Sequence, residues 1–416
     1  MLATNVWRRA LGVDRATVIE EIDFDEESDT VVVHVRPRRS TKRRCGRCAA
    51  RSPNYDQGEG RRNCRALDLG TLRCFLQADS PRVDCLEHGP TVAQVPWARH
   101  AAGHTRDFDD QVAWLVTHAP KSTVAELMRV AWRTVGSIIE RVVADGRAAH
   151  DPFEGLVRIG IDEISYKRGH RYLTICVDHD SGRLIWAAVG RDRETLGGFF
   201  DLLGEQRCQQ IRLVSADAAP WIAQVVAQRC GNATLCIDSF HVVQWATKAL
   251  DDVRREVWNE ARRGGMTGHA KELKGCRYAL WRNPEDLTAR QEHKLAWIAK
   301  VNTRLYRAYL MKEQLRIAIR TKGRRAISML KQWLAWTQRC RIPAFVELGR
   351  MIARNLEGIE AAMLNKLSNA LVESTNTKLR VLHRMAFGFH KPEHLIALAL
   401  LDRGGYCPPL PGRVVA

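Results

Sequence analysis

Apolar and polar positions change period several times along this chain, and each change marks a new element. Residues 14–37 alternate with period two around the turn Asp23-Phe-Asp-Glu-Glu-Ser-Asp29, which predicts a β-hairpin whose second arm is Thr30-Val-Val-Val-His-Val35. Over 104–146 the period becomes helical. There Thr123-Val-Ala-Glu126 has the form of a capping box opening a helix over 124–130, and a second helix over 132–143 follows a short break at Val130-Ala131. Residues 147–156 read as a linker. Beyond it, β runs are predicted at 156–162, 172–177 and 184–189, separated by the turns Lys167-Arg-Gly-His170 and Asp178-His-Asp-Ser-Gly182. A helix at 194–203, a run at 211–215, a helix at 221–230 and a run at 234–237 complete the series. From Phe240 to about residue 362 the pattern is helical throughout and rich in Trp, too long to be a loop. Another helix pair extends to about residue 401, and Gly404-Gly-Tyr-Cys-Pro-Pro-Leu-Pro-Gly412 is a turn-like tail.

The order βββαβαβ is the RNase H-like pattern, a mixed sheet with helices on both faces. In that fold class the first and fourth strands are neighbours. The expected architecture is therefore multidomain α/β. An N-terminal β region with a zinc ribbon (1–100) and a helix-turn-helix (101–147) come first. The first part of the RNase H-like core (157–240), an all-helical insertion (241–362), C-terminal core helices (363–403) and a tail (404–416) follow. A length of 416 residues agrees with several domains.

Composition adds a partner. Lys and Arg number 65 against 47 Asp and Glu, a net charge of +18 with a pI near 9.7, which favours a polyanion. Double-stranded DNA is the expected one. Six of the nine residues Arg36-Pro-Arg-Arg-Ser-Thr-Lys-Arg-Arg44 are basic, and Arg38, Arg39, Arg43 and Arg44 are candidate phosphate contacts. The second helix of the 104–146 region would offer Trp132, Arg133, Thr134 and Ser137 to the major groove. Between Arg304 and Lys331 nine basic residues face one acid, Glu313, which predicts a DNA-facing stripe on the insertion. No apolar run approaches the ~20 residues that span a bilayer. The N-terminus lacks the apolar core of a signal peptide. A cytoplasmic protein with reduced cysteines is expected.

Two groups of residues carry candidate chemistry. Cys45-Gly-Arg-Cys48 and Cys85-Leu-Glu-His88 are paired knuckles at the spacing of a structural Zn2+ site, with Cys64 and Cys74 outside the pairing. The second group is carboxylate: Asp162 and Asp217, each closing a β run, and Glu373 in the helical stretch Leu367-Ser-Asn-Ala-Leu-Val-Glu373-Ser-Thr-Asn376. Three such carboxylates suit two Mg2+ (or Mn2+) ions, Asp162 shared, Asp217 on one and Glu373 on the other, for phosphodiester chemistry. Asn369, Glu373, Asn376 or Thr377, Arg380 and Arg384 recur at helical spacing as one polar face suited to a DNA backbone. Asp238, which also ends a β run, is a rival for the second position. Sheet order leaves it a supporting role with His241. Glu163 should point to the opposite side of its strand.

These stretches resemble an insertion-sequence transposase of the ISL-three group, a DDE-type family. The resemblance rests on Gly160-Ile-Asp162-Glu, Val214-Ser-Ala-Asp217, Ile237-Asp238-Ser-Phe-His241-Val-Val, Asn369-x3-Glu373-x2-Asn376-x-Lys378 and Ala386-Phe-Gly388-Phe389. With the ribbon spacing and helix-turn-helix in the family's order, it covers nearly the whole chain. It implies an RNase H-like core with an all-helical insertion, Asp162, Asp217 and Glu373 as the catalytic triad, end-specific DNA binding by the N-terminal modules, and cut-and-join transposition. Binding of terminal inverted repeats and a homodimer on nucleoid DNA are further expectations. One departure is His88, where the family often has a second Cys-x2-Cys. Cys3His remains chemically sound. Two other readings stay open at this point: a DNA-binding regulator whose sheet senses a ligand, and an RNase H-like nuclease without strand transfer.

Overall fold

The computed structural model describes residues 2–413 apart from Arg168, Lys322, Lys366, Ser368, Phe387, Gly388 and His390, with backbone alone at Leu2–Thr4 and Ser239. The Phe387-Gly388 part of one family motif, Lys322 of the basic stretch, Ser368 before Asn369 and Arg168 of the first core turn thus lie outside the described residues. The chain divides into two units, Met1–Pro152 with Leu379–Ala416, and Phe153–Lys378.

In the first unit helix α1 (Leu2–Ala10) precedes the hairpin of β1 (Thr17–Asp25) and β2 (Thr30–Pro37), as the alternation predicts. Three short or medium strands follow, β3 (Asn54–Asp56), β4 (Arg61–Leu69) and β5 (Leu72–Asp79), and then β6 (Arg82–Cys85) and β7 (Gly89–Val92). They form a four-stranded sheet of order β1-β2-β5-β4 and a three-stranded sheet of order β3-β6-β7. Val31, Val33 and Val35 on alternate positions of β2 meet Cys64, Cys74 and Leu76 in the core of the larger sheet. Cys64 and Cys74 are therefore apolar filling, which explains their place outside the knuckle spacing.

Helices α2 (Arg106–His118), α3 (Lys121–Leu127) and α4 (Trp132–Ala149) follow. The expected capping box does not form. Pro120, with φ −57°, starts α3 three residues earlier, and Thr123 lies inside the helix. Helix α4 also runs to Ala149, so the first residues of the expected linker are helical.

In the second unit β8 (Arg158–Lys167), β9 (Arg171–Asp178), β10 (Leu184–Val189), β11 (Leu213–Ala216) and β12 (Thr234–Ile237) form one sheet of order β10-β9-β8-β11-β12. The first and fourth strands are neighbours and parallel, as expected. Helices α5 (Arg193–Leu203), α6 (Glu205–Cys208) and α7 (Pro220–Arg229) connect them. Ile159, Ile161, Phe199, Phe200, Ile211 and Val214 fill the core beneath.

The insertion is helical: α8 (Ser239–Arg263), α9 (Thr267–Gly275), α10 (Arg277–Trp281), α11 (Ala289–Val301), α12 (Thr303–Arg320), α13 (Arg324–Arg339), α14 (Pro343–Arg354) and α15 (Leu356–Asn365). Trp333, Phe345, Met311 and Leu315 are in its core. Its basic stretch is not one open stripe. Lys312 is buried, pairs with Glu313 and donates to the Leu280 carbonyl at 2.9 Å. Arg316 binds Glu313 and Glu285, Arg320 also binds Glu285, and Arg304 binds Glu256 and Glu260. Acids distant in sequence neutralise what looks uncompensated in the linear order. Arg324 and Arg325 remain exposed.

Helix α16 (Ala370–Met385) begins in the second unit and ends in the first, and α17 (Pro392–Arg403) follows. The sequence expectation assigned 363–403 to the core. Instead α17 packs on α4 and α2 of the first unit, because Leu395, Leu398 and Leu401 make it apolar on the side it buries. In the second unit, α16 lies directly on the backbone of β8: a Cβ at Gly160 would stand 2.5 Å from Val372 Cγ2 and 2.9 Å from His179 Nε2.

Candidate active site

Strand register brings the first two carboxylates together. Ser215 of β11 pairs with Gly160 of β8 in parallel, so two residues further on Asp217 falls beside Asp162. The carboxylate oxygens of Asp162, Glu163 and Asp217 lie within 4.8 Å of one another. Asp162 is mid-strand, opposite Ile175, rather than at a strand end as its apolar run suggested. The antiparallel partner β9 keeps β8 extended after β11 has stopped. Glu163 was expected on the far side. Its side chain, half held by Arg191 at 3.3 Å, nevertheless reaches the same cluster.

A second triplet adjoins the first. Asp238 caps α8, accepting from the Phe240 N–H at 3.2 Å, and His241 follows one turn later. Their side chains and that of Glu373 also converge within 4.8 Å. His241 Nε2 lies 2.6 Å from Asp217 Oδ1, which links the triplets. The structure thus brings Asp162, Asp217, Asp238, His241 and Glu373 into one centre.

Both asparagines of the expected polar face turn inward rather than toward DNA. Asn376 is buried and its Nδ2 donates to Asp162 Oδ2 at 2.6 Å. Asn369, also buried, accepts from Ser215 Oγ at 2.5 Å, and His179 Nε2 is 2.7 Å from the same hydroxyl. Glu373 is therefore flanked by two clamps, Asn369 just before α16 and Asn376 on it, one turn before and one turn after. Ser215 and His179 escaped the sequence reading. The signal for Ser215 was its position two residues before Asp217, on the same strand face.

Electrostatics show a centre short of positive charge. Burial, then the Asp217 charge, pushes Asp162 up to about 7. Burial raises Glu163, with Asp217 adding to it and Arg191 opposing. Burial and then Asp238 raise Glu373. The Asp217 hydrogen bond lifts His241 to about 9. Asp238 Oδ2 is buried and accepts no hydrogen bond among the described residues. Hard oxygen donors, mutual repulsion and an orphaned acceptor fit divalent cations of the Mg2+ type.

The cysteine cluster is compact. Ligand atoms of Cys45, Cys48, Cys85 and His88 all lie within 4.8 Å of one another. Three edges are 3.8 Å (Cys45 Sγ to His88 Nδ1), 3.6 Å (Cys48 Sγ to Cys85 Sγ) and 3.7 Å (Cys85 Sγ to His88 Nδ1). Tetrahedral bonds of zinc length need edges of about 3.5–3.8 Å, so Cys3His fits. The first knuckle turns through Ala49 (φ 59°) and the second through Gly89 (φ 64°). Hydrogen bonding by His88 holds the Cys85 thiol down to about 6.

Among the candidate DNA contacts, Arg38, Arg39, Arg43, Arg133, Ser137, Arg380 and Arg384 are exposed, and Thr134 and Lys378 are partly so. Arg44 is tied into the first knuckle, donating to the Ala49 carbonyl at 3.0 Å. Trp132 is engaged within its own unit, its ring under the Lys121 ammonium at 3.6 Å.

An acidic centre on a sheet of this order, in a chain that also carries a ribbon and a helix-turn-helix, defines a DNA transposase. Comparison with known proteins agrees. A family model described as a transposase matches residues 159–399. The helix-turn-helix domain of transposase family ISL3 matches 93–143, and the zinc-finger of transposase IS204/IS1001/IS1096/IS1165 matches 41–88. The chain is 55% identical over 436 residues to the transposase for insertion sequence element IS1557 of Mycobacterium tuberculosis, covering 99% of this chain and 98% of that one. It is 23% identical over 380 residues to the transposase for insertion sequence element IS1001 of Bordetella parapertussis, covering 90% and 92%. The chain belongs to the ISL3 family of insertion-sequence transposases. It is an enzyme of DNA cleavage and strand transfer that binds DNA. Among the described residues no helix is long and apolar enough to cross a membrane.

Proposed function

We propose that Asp162, Asp217 and Glu373 are the catalytic triad, and that the chain cuts and joins DNA at the terminal inverted repeats of its element. The observation that carries this reading is the meeting of residues from β8, the end of β11 and α16 in one half-buried acidic centre. Two Mg2+ (or Mn2+) ions held there would activate the attacking water or 3′-hydroxyl and stabilise the departing 3′ oxygen. The chain's own part is to hold the ligands still. Asn376 fixes one oxygen of Asp162, the Glu163 N–H fixes the other at 2.7 Å, and Asn369 with Ser215 anchors the start of the Glu373 helix.

Cys45, Cys48, Cys85 and His88 hold one structural Zn2+, which shapes the ribbon for DNA. The basic run 36–44 and Arg133 of α4 contact the terminal repeats, and Lys378, Arg380 and Arg384 contact backbone phosphates. Joining two ends calls for two copies on DNA, so the working form is a dimer acting on the nucleoid in the cytoplasm. The functional divisions are the ribbon region (1–100), helix-turn-helix (101–147), core (157–240 and 363–378) and helical insertion (241–362). Incubation with paired terminal repeats and Mg2+ should give nicked ends and joined product. Asp162→Asn should lower cleavage by about 10²–10³-fold or more with end binding unchanged. Near-normal cleavage by that variant would refute the triad, and cleavage without a joined product would make the chain a nuclease.

A further inference from the structure

We propose that Asp238 and His241 join Glu373 as ligands of a mixed nitrogen–oxygen metal position, distinct from the all-oxygen position of Asp162 and Asp217. The inference rests on the two-metal reading above and adds two ligands that the triad does not contain.

The ligand atoms fall into two triplets of different chemistry. Asp162, Glu163 and Asp217 offer oxygen alone, whereas Asp238, His241 and Glu373 offer two carboxylates and an imidazole. Asp238 points to a ligand independently of the clustering. It is 2% exposed, its Oδ1 is used in capping α8, and its Oδ2 is buried with no hydrogen bond. His241 Nε2, at 3.9 Å, is the nearest recorded charged neighbour of that oxygen and lies beyond hydrogen-bond reach. A buried carboxylate oxygen left this way is costly unless a cation meets it.

Helix geometry explains the pair. Asp238 is the N-cap of α8 and His241 is three residues on, so both side chains emerge on one side of the first turn. The far ring nitrogen, Nδ1, is 3.3 Å from Gln244 Oε1. That contact orients the ring with Nε2 toward the carboxylates, Asp217 Oδ1 at 2.6 Å and Asp238 Oδ2 at 3.9 Å, as an outer partner on the far nitrogen fixes a ligating histidine. An imidazole among carboxylates binds Mn2+ more readily than Mg2+, while an all-oxygen set accepts Mg2+. The two positions should therefore differ in metal preference.

The test uses the full-length, zinc-loaded protein titrated with Mn2+, read by bound-ion stoichiometry and by pulsed electron paramagnetic resonance. Wild type should bind two Mn2+ beyond zinc, one showing nitrogen-14 coupling from a coordinated imidazole. His241→Gln should abolish that coupling. Asp238→Asn, which keeps the helix cap, should weaken the same ion about tenfold or more and leave the other intact. Two bound Mn2+ without imidazole coupling would overturn the proposal while the two-metal reading stands. Fewer than two bound would overturn both. Wild-type binding by Asp238→Asn would remove that residue from the ligand set and with it the mixed position as proposed.

Discussion

The cysteine–histidine cluster and the carboxylate centre gather similar numbers of ligands by opposite means. In the ribbon each pair of ligands sits on a single tight turn, 45–48 and 85–88, and only two turns need to meet. In the core the ligands arrive from a strand middle, a strand end, the first turn of α8 and the start of α16, with the whole helical insertion between the last two. The first site is local, and on the zinc reading proposed above it would depend on its ion to hold its small sheet. The second is assembled on a sheet with an apolar core of its own. Metal removal should therefore unfold one and merely silence the other.

That difference sets the largest expected effect. Stripping zinc, or Cys45→Ser, should remove stabilisation on the order of 10 kcal/mol from the ribbon and abolish end binding. Depleting Mg2+ alone should stop cleavage and leave the melting curve and end binding as they were. Gel shift and circular dichroism on the two depleted forms check this; end binding that survives zinc removal would erase the contrast.

A smaller effect should follow from loosening the core site without removing a ligand. Asn376→Ala frees Asp162 Oδ2 from a hydrogen bond to a charged group, worth about 1.5–3 kcal/mol. Cleavage at fixed Mg2+ should fall roughly tenfold to a hundredfold, with end binding intact. A rate equal to wild type would show that Asp162 needs no such clamp.

The smallest effect concerns a buried charge outside either cluster. Lys121 is 5% exposed, its Nζ makes no hydrogen bond among the described residues, and burial pulls it down to about 8 from the ordinary 10.5. The unfolded chain keeps this proton to about pH 10.5 and the folded chain only to about pH 8, so between those values unfolding takes up a proton and stability rises with pH. Lys121→Met should stabilise the first unit by about 1–2 kcal/mol at pH 7, allowing for the lost contact with Trp132, and the gain should fade by pH 10.5. Melting at the two pH values measures it; a gain that does not change with pH would place the cause in packing.

Legibility followed the same divide. Strands β10 and β12 and the helical insertion were readable because short apolar runs bounded by turns and period 3.6 are local signals. The knuckles were readable because both ligands of each lie on one turn. Asp162 at mid-strand was not, since where β8 ends depends on β9, a partner that periodicity does not specify. Helical spacing correctly grouped Asn369, Glu373 and Asn376, but it cannot say whether that face looks outward, and here the amides turn to Ser215 and Asp162. The apparent basic stripe failed for a related reason: Glu285, Glu256 and Glu260, which neutralise it, come from other helices.

The close seat of α16 on Gly160 bears on how copies of such an element die. A single methyl at that position would crowd the side chains of Val372, the neighbour of Glu373, and of His179, leaving every acidic residue, every cysteine and every proposed DNA contact in place. Such a copy would pass any inventory of catalytic letters and should still cut poorly. Survival of the element is written partly in a residue with no side chain at all.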